Sequence, residues 1–318
     1  MSEVTTASPI RFGSSNDRST AGRIFGFIRS LARQKPLGFA SLVIIVLMII
    51  VALIPGPLAP HSPNDTRAGN ARFQNYCLGP TDTFLCPTVP GVEGASQFTS
   101  QPAIEGSTSN LLGTDNLNRD IFSRLVFATR WVAFVSFVAV TVSSILALTI
   151  GLISGYFGGK TDSIIQRFVD AIMALPTLVV LIFLATLFGT DNPVRGFTQL
   201  AIILGVLGGT GGSRVIRSAV IGVRSAQYLE AARVIGADNT RVILRHVLPN
   251  IFGALMVQAT IGLGGVILAE SALSFLGFGV ADPNNPTWGQ MLQAGQQVAN
   301  QFPFQAVWPG LAITVAVF

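Results

Sequence analysis

The sequence predicts an all-α polytopic membrane protein with six transmembrane helices, and three observations predict it. Half of the 318 residues are apolar and only 11 % are charged, against about 25 % charged in soluble domains. Mean hydropathy is +0.58, and the apolar residues gather into runs close to the roughly 20 residues that cross a bilayer. The basic residues flank those runs on alternate sides and form no single patch. This composition excludes a disordered chain, which would lack the apolar surface to offset its entropy. Two Cys are too few for a disulfide-dense scaffold.

Taken in order, residues 1–36 form a cytoplasmic N-terminal segment, rich at its start in Ser, Thr and Asn. Residues 37–55 (LGFASLVIIVLMIIVALIP) form the first transmembrane helix. Its apolar run is too long, and starts too far into the chain, for a cleaved signal peptide. Residues 56–127 form an extracytoplasmic loop rich in Pro, Gly, Asn and Thr. The remaining core, 128–318, holds apolar spans at 128–154, 164–188, 197–222 and 251–276. A last run opens near Trp308 and reaches Phe318 while still too short to span, so we expect the sequence to stop inside a sixth helix.

Orientation follows from the basic residues. Arg11, Arg18, Arg23, Arg29, Arg33 and Lys35 precede the first span; Arg224, Arg233, Arg241 and Arg245 lie between the fourth and fifth. The segment 277–305 contains neither Lys nor Arg. Positive charge collects on the cytoplasmic side of membrane proteins, which places the N-terminus and the 223–250 stretch inside. The net charge of +5 is therefore a topology signal and not a nucleic-acid surface.

Several residues stand out within this frame. Cys77 and Cys86 fall in the outer loop with Gly79 and Pro80 between them. On the oxidising side of a membrane they can close a small loop, or stay two separate thiols. Zinc is not expected, because two thiols are half a site and the only His, His61 and His246, sit in different loops. Pro176 falls mid-span and predicts a kink. Gly205, Gly208, Gly209, Gly211 and Gly212 predict either close helix packing or a bendable element beside a pathway. Asp170 and Glu270 are carboxylates inside spans, where charge is costly. For Asp170 we expect packing or pairing with an Arg such as Arg167, for Glu270 a structural bond or a pathway-lining role.

The stretch 223–250, VRSAQYLEAARVIGADNTRVILRHVLPN, is the most informative. Glu230 to Ile235 predict a short helix broken by Gly236. Asp238 or Asn239 then caps a second helix, expected to end at Pro249. Two amphipathic pieces of this length suit docking of a partner better than a plain linker. Catalytic chemistry is missing: SGYFGGKT lacks the first Gly of a phosphate loop and follows a membrane helix. Neither His lies at membrane depth, which disfavours an intramembrane protease. A secondary transporter would call for more mid-membrane charge and repeated broken helices.

Glu230, Ala231, Ala232, Gly236, Ile243, Leu244, His246, Leu248, Pro249 and Asn250 form a pattern that resembles the cytoplasmic EAA loop of bacterial ABC importer permeases. LGTDNLNRDIFSRL, GYFGGKTD, VDAIMALPTL, ESALSFLGFGV and PTWGQML narrow the likeness to C-type subunits of dipeptide and oligopeptide permeases. Asn118 stands where that family usually has Gly, Gly209 where Trp is common, and the outer loop is longer than usual.

The resemblance implies a type I ABC importer permease fold with an extracytoplasmic loop insertion, in the bacterial cytoplasmic membrane. It implies a homologous B-type permease subunit, two cytoplasmic ABC ATPase subunits, an extracytoplasmic substrate-binding protein and a peptide substrate. This chain itself takes no cofactor and is no enzyme; ATP and Mg2+ belong to the ATPases. Nickel or another small solute is the alternative cargo.

The Cys pair generates one test. A bond closing a loop of about ten residues is worth about 2.5–3 kcal/mol. Protein purified without reductant and then denatured is expected to titrate no free thiol; two titratable thiols would refute the bond.

Overall fold

The computed structural model describes residues 33, 36–64, 111–115, 117, 119–189, 192–280, 282, 284–300 and 302–318. Cys77 and Cys86 lie outside the described residues. The chain divides into two units, Met1–Val46 and Leu47–Phe318. Helix α1 (Pro36–Leu53) carries the boundary, and every contact described here lies within the second unit.

After α1 come α2 (Pro55–Leu58), α3 (Ile121–Phe157), α4 (Gly159–Met173), α5 (Thr177–Leu187) and α6 (Pro193–Arg224). Then follow α7 (Gln227–Val234), α8 (Asn239–Val242), a π-helical turn (Ile243–Val247), α9 (Leu248–Phe275), α10 (Trp288–Gln297) and α11 (Phe304–Val317). Among the described residues the fold is all-α; the only strand-like pairing is an isolated bridge between Thr114 and Asp120. Three helical stretches are long and apolar enough to span: α3, α6 and the continuous run Asn239–Phe275. The helices α4 and α5 pass the same test only when taken together, and the pair is bent by 79°. The shorter apolar helices Gly38–Leu53 and Phe304–Val317 occupy the first and last of the six predicted places.

Three boundaries differ from the sequence expectation. Helix α3 begins at Ile121, not near 128, because hydropathy counting stops at polar residues whereas a helix starts at its cap. Asp120 is that cap: its Oδ2 accepts from Ser123 N at 2.8 Å and from Ser123 Oγ at 2.6 Å. Arg124, in the first turn, is buried and donates to the Pro63 carbonyl at 2.9 Å. At Pro176 the predicted kink is a full break, with Pro176 as the extended cap of α5; proline cannot continue the ladder of α4.

The third difference is the helix expected to end at Pro249, which instead runs on into α9. The π-helical turn precedes the proline, with Leu248 N donating to Ile243 O. Pro249 then falls in the first turn of α9, where a missing N–H is tolerated. The Asn250 side chain takes up the His246 carbonyl at 2.6 Å.

Packing falls into three apolar clusters. One joins Val135 and Ala139 of α3 to Leu181, Phe197, Leu204, Val266 and Leu273. Another gathers Met48, Ile121, Val132, Ile267, Trp288 and Ile313. The third joins the ends of α3 and α6 to the 227–251 region. Hydrophobic burial gives little drive between helices in lipid, so close van der Waals approach must hold them.

The α3–α6 seam meets that demand with small residues. A Cβ on Gly205 would lie 2.7 Å from Val142 Cβ and 2.8 Å from the Ala139 carbonyl. One on Gly209 would lie 2.8 Å from Leu146 Cβ. From the other side, a Cβ on Gly151 would lie 2.7 Å from the Ser213 carbonyl and 2.9 Å from Arg217 N. Residue numbers rise together on both helices, so the pair is parallel. Of the glycines singled out in the sequence, Gly205 and Gly209 are closely packed, whereas Gly211 meets only the Met173 methyl at 3.8 Å.

Gly151→Ala places a methyl against backbone that cannot yield. It is expected to destabilise the purified protein by about 1–3 kcal/mol, read as a lower thermal midpoint in detergent. Gly222→Ala, which meets open space, is the matched control and should leave the midpoint unchanged or slightly raised.

Candidate coupling hairpin

Residues 227–247 fold as a hairpin against the ends of α3 and α6. The run Gln227–Val234 is helical because Leu, Glu and Ala are strong helix formers. It stops at Gly236, whose φ of +84° lies in the left-handed region, open to glycine at little cost. Ala237 N donates back to the Ala232 carbonyl at 3.0 Å, the bond that closes such a helix end. Asp238 then caps the next helix through Thr240 N at 3.3 Å.

The two faces of the hairpin differ. Leu229, Ala232, Val242 and Val247 are buried, packed with Ala147, Tyr156, Ile216, Val220 and Ile251. The Tyr156 hydroxyl, itself buried, donates to Asn239 Oδ1 at 2.8 Å. The outer face carries Glu230 and Ala231, both exposed, with Val234 at 87 % and Ile235 at 85 % exposure. His246 is half-buried, its ring 6.5 Å from that of Tyr228. Ile243 and Leu248 are half-buried, and Pro249 and Asn250 are exposed. All ten residues of the pattern singled out in the sequence therefore belong to one hairpin and the helix it opens.

The remaining candidates lie apart from it. Asp170 pairs with Arg214 of α6, not with Arg167; on α4 the carboxylate faces across to the neighbouring helix. Glu270 is buried on α9, with Ser274 Oγ donating to it at 2.8 Å and Ser271 Oγ at 3.4 Å. No group of three or more potential metal-ligating side chains occurs among the described residues.

Residues 147–318 match the family described as the binding-protein-dependent transport system inner membrane component. The chain belongs to this family. Residues 29–76 match the N-terminal transmembrane domain of oligopeptide transport permease C. The dipeptide transport system permease protein of Alkalihalophilus pseudofirmus is 36 % identical over 211 residues, 66 % of this chain and 67 % of its own. The corresponding dipeptide permease protein of Bacillus subtilis is 30 % identical over 267 residues, 84 % and 72 % of the two chains. The nickel transport system permease protein of Escherichia coli is 36 % identical over 210 residues, 65 % and 72 %.

The permease is thus a multi-pass inner-membrane subunit of an ABC importer of the dipeptide/oligopeptide family. It is not the catalytic subunit; in such importers ATP hydrolysis resides on separate subunits. Two contacts of the permease stand outside the residues singled out in the sequence. Tyr156, within SGYFGGKT, bolts the hairpin to α3. Asp162 and Arg217 form a bidentate pair at 2.6 and 2.5 Å. Their signal was the string GGKTD, where a carboxylate follows closely on a pair of glycines.

Tyr156→Phe removes one buried hydrogen bond, worth about 0.5–1.5 kcal/mol. Hydrogen exchange in 239–247 should rise by about tenfold or less, while exchange in the α3–α6 seam stays unchanged.

Proposed function

We propose that the permease couples to two cytoplasmic ABC ATPases through the 223–250 hairpin. With a homologous B-type permease subunit it forms the pathway for di- and oligopeptides delivered by an extracytoplasmic binding protein. One observation carries this reading. The hairpin is anchored on its inner face to the ends of two long helices and offers Tyr228, Val234, Ile235 and Leu244 outward. Exposed apolar clusters rimmed by polar groups mark docking sites. A partner seated there moves α3 and α6 with it, because Leu229, Ala232 and Val247 are wedged between them and the partner. ATP and Mg2+ stay on the ATPases, and closure of the ATPase pair biases the permease between inward- and outward-open states.

Glu230→Lys reverses a charge on the outward face, and Gly236→Pro forbids the left-handed turn. Both variants should reach the membrane and assemble, yet lose about tenfold or more of transport and of transport-linked ATP hydrolysis. Normal transport by both in reconstituted vesicles would refute the docking role. Nickel is the second cargo reading, favoured by the nickel-transport relative being as similar as the dipeptide one. Ligand binding by the cognate binding protein separates the two cargoes.

The N-terminus belongs in the cytoplasm on this reading. Thiols introduced at Gln290 should label from outside intact cells and those at Asn239 should not; the reverse pattern would invert the topology.

A further inference from the structure

The half-helix α4 is sparsely packed. Of its fifteen residues only Val169 is buried, and residues 170–179 are exposed without interruption. Both of its ends are breaks in the backbone. At the start, Gly158 and Gly159 have φ of +67° and +56°, a conformation other residues reach only at a cost. At the finish, the chain turns by 79° through Pro176 into α5.

Across its length α4 is fastened to α6 by charge. Arg217 grips Asp162 with two parallel hydrogen bonds, 2.6 Å from Nε and 2.5 Å from Nη2. Ser154 of α3 donates to the same carboxylate, and Gln166 donates to Ser154 at 3.0 Å. Two turns further along, Asp170 pairs with Arg214. The second pair is open to its surroundings, with exposures of 62 % and 45 %. Such a pair adds little holding energy. The first is the stronger, since the guanidinium fork fits the carboxylate plane.

Helix α6 also ends against the first break. A Cβ on Gly158 would lie 2.7 Å from Nη1 of Arg224, the last residue of α6. Three residues later the hairpin helix α7 begins. A displacement of the hairpin therefore reaches Arg224, the Gly158–Gly159 break and the Asp162–Arg217 grip in sequence.

We propose that α4 is a hinged strut that swings relative to α6 during transport. Gly158–Gly159 and Pro176 are its hinges, and the Asp162–Arg217 pair is the clasp that sets its position. The inference rests on the coupling reading above. Asp162 and Arg217 act as positioning residues: they hold the strut in one of two places. Ion pairs suit this role because they can be broken and remade as units, whereas the interlocked α3–α6 seam must move as one body.

The test bridges the strut to α6 and asks whether transport stops. Met173→Cys and Gly211→Cys are made together, with Cys77 and Cys86 replaced by Ser. The Met173 methyl lies 3.8 Å from a Cβ at Gly211, so a short reducible bis-methanethiosulfonate linker joins the two thiols. The full importer is reconstituted with its binding protein and ATPases. Bridging is expected to cut transport by about tenfold or more, with recovery on reduction. Transport by the bridged protein at the rate of its reduced form would overturn the strut.

A second arm addresses the clasp. Asp162→Asn should lower transport and leave ATP hydrolysis less dependent on the loaded binding protein. The charge exchange Asp162→Arg with Arg217→Asp should restore part of that dependence. A merely structural pair would instead lower the assembled amount and leave the coupling ratio unmoved, which overturns the clasp. If the unaltered chain shows no ATP-dependent transport with its partners, the coupling reading falls and takes the strut with it. Normal coupling in the unaltered chain with an indifferent bridge removes the strut alone.

Discussion

The close parallel approach of α3 and α6 is the contact on which the inner half of the permease depends. Glycines at 151, 205 and 209 bring the helices so near that a Cβ at any of them would meet a neighbouring backbone carbonyl or Cβ within 2.8 Å. In lipid, apolar side chains gain nothing by leaving one apolar medium for another. Attraction therefore has to come from short-range packing, and only small residues permit it. The result is a two-helix unit stiff enough to carry force. One end of it, at Tyr156, Ile216 and Val220, is the floor on which the 227–247 hairpin sits.

Polar side chains serve a different purpose in this fold. They specify which helices meet and where. Asp120 fixes the start of α3 and Thr287 that of α10, the latter with a reciprocal bond from Gln290. Trp131 stacks on Phe197 at 4.3 Å and donates to Asn285 at 2.7 Å, tying α3 to α6 and to the loop before α10. Glu270 is fully enclosed with hydroxyl donors around it. Each of these would be costly to leave unmatched in a dry environment. These bonds reinforce the register that the glycine seam sets.

Rigid and loosely held parts are thus separated along the chain. The α3–α6 seam, the inner cluster and the Thr287 cap are interlocked. The α4–α5 arm has a glycine pair at one end, a proline break in its middle and few buried residues. Importers that switch between two states need such a division, because a close-packed body does not deform gradually.

The sequence by itself determined the fold class, the places of the apolar helices, a bend at Pro176 and the helix–Gly–helix form of 223–250. These are local properties: hydropathy, a missing N–H, a residue that accepts positive φ, and the EAA pattern with its neighbours. Only the tertiary structure decided the start of α3 at a polar cap, the run of helix through Pro249 by way of a π-helical turn, and the partners of the charges. Asp170 meets Arg214, 44 residues away, and Asp162 meets Arg217, 55 away. The physical reason is that such pairings are set by the register of one helix on another. That register follows from where glycines let backbones touch, which no single segment encodes.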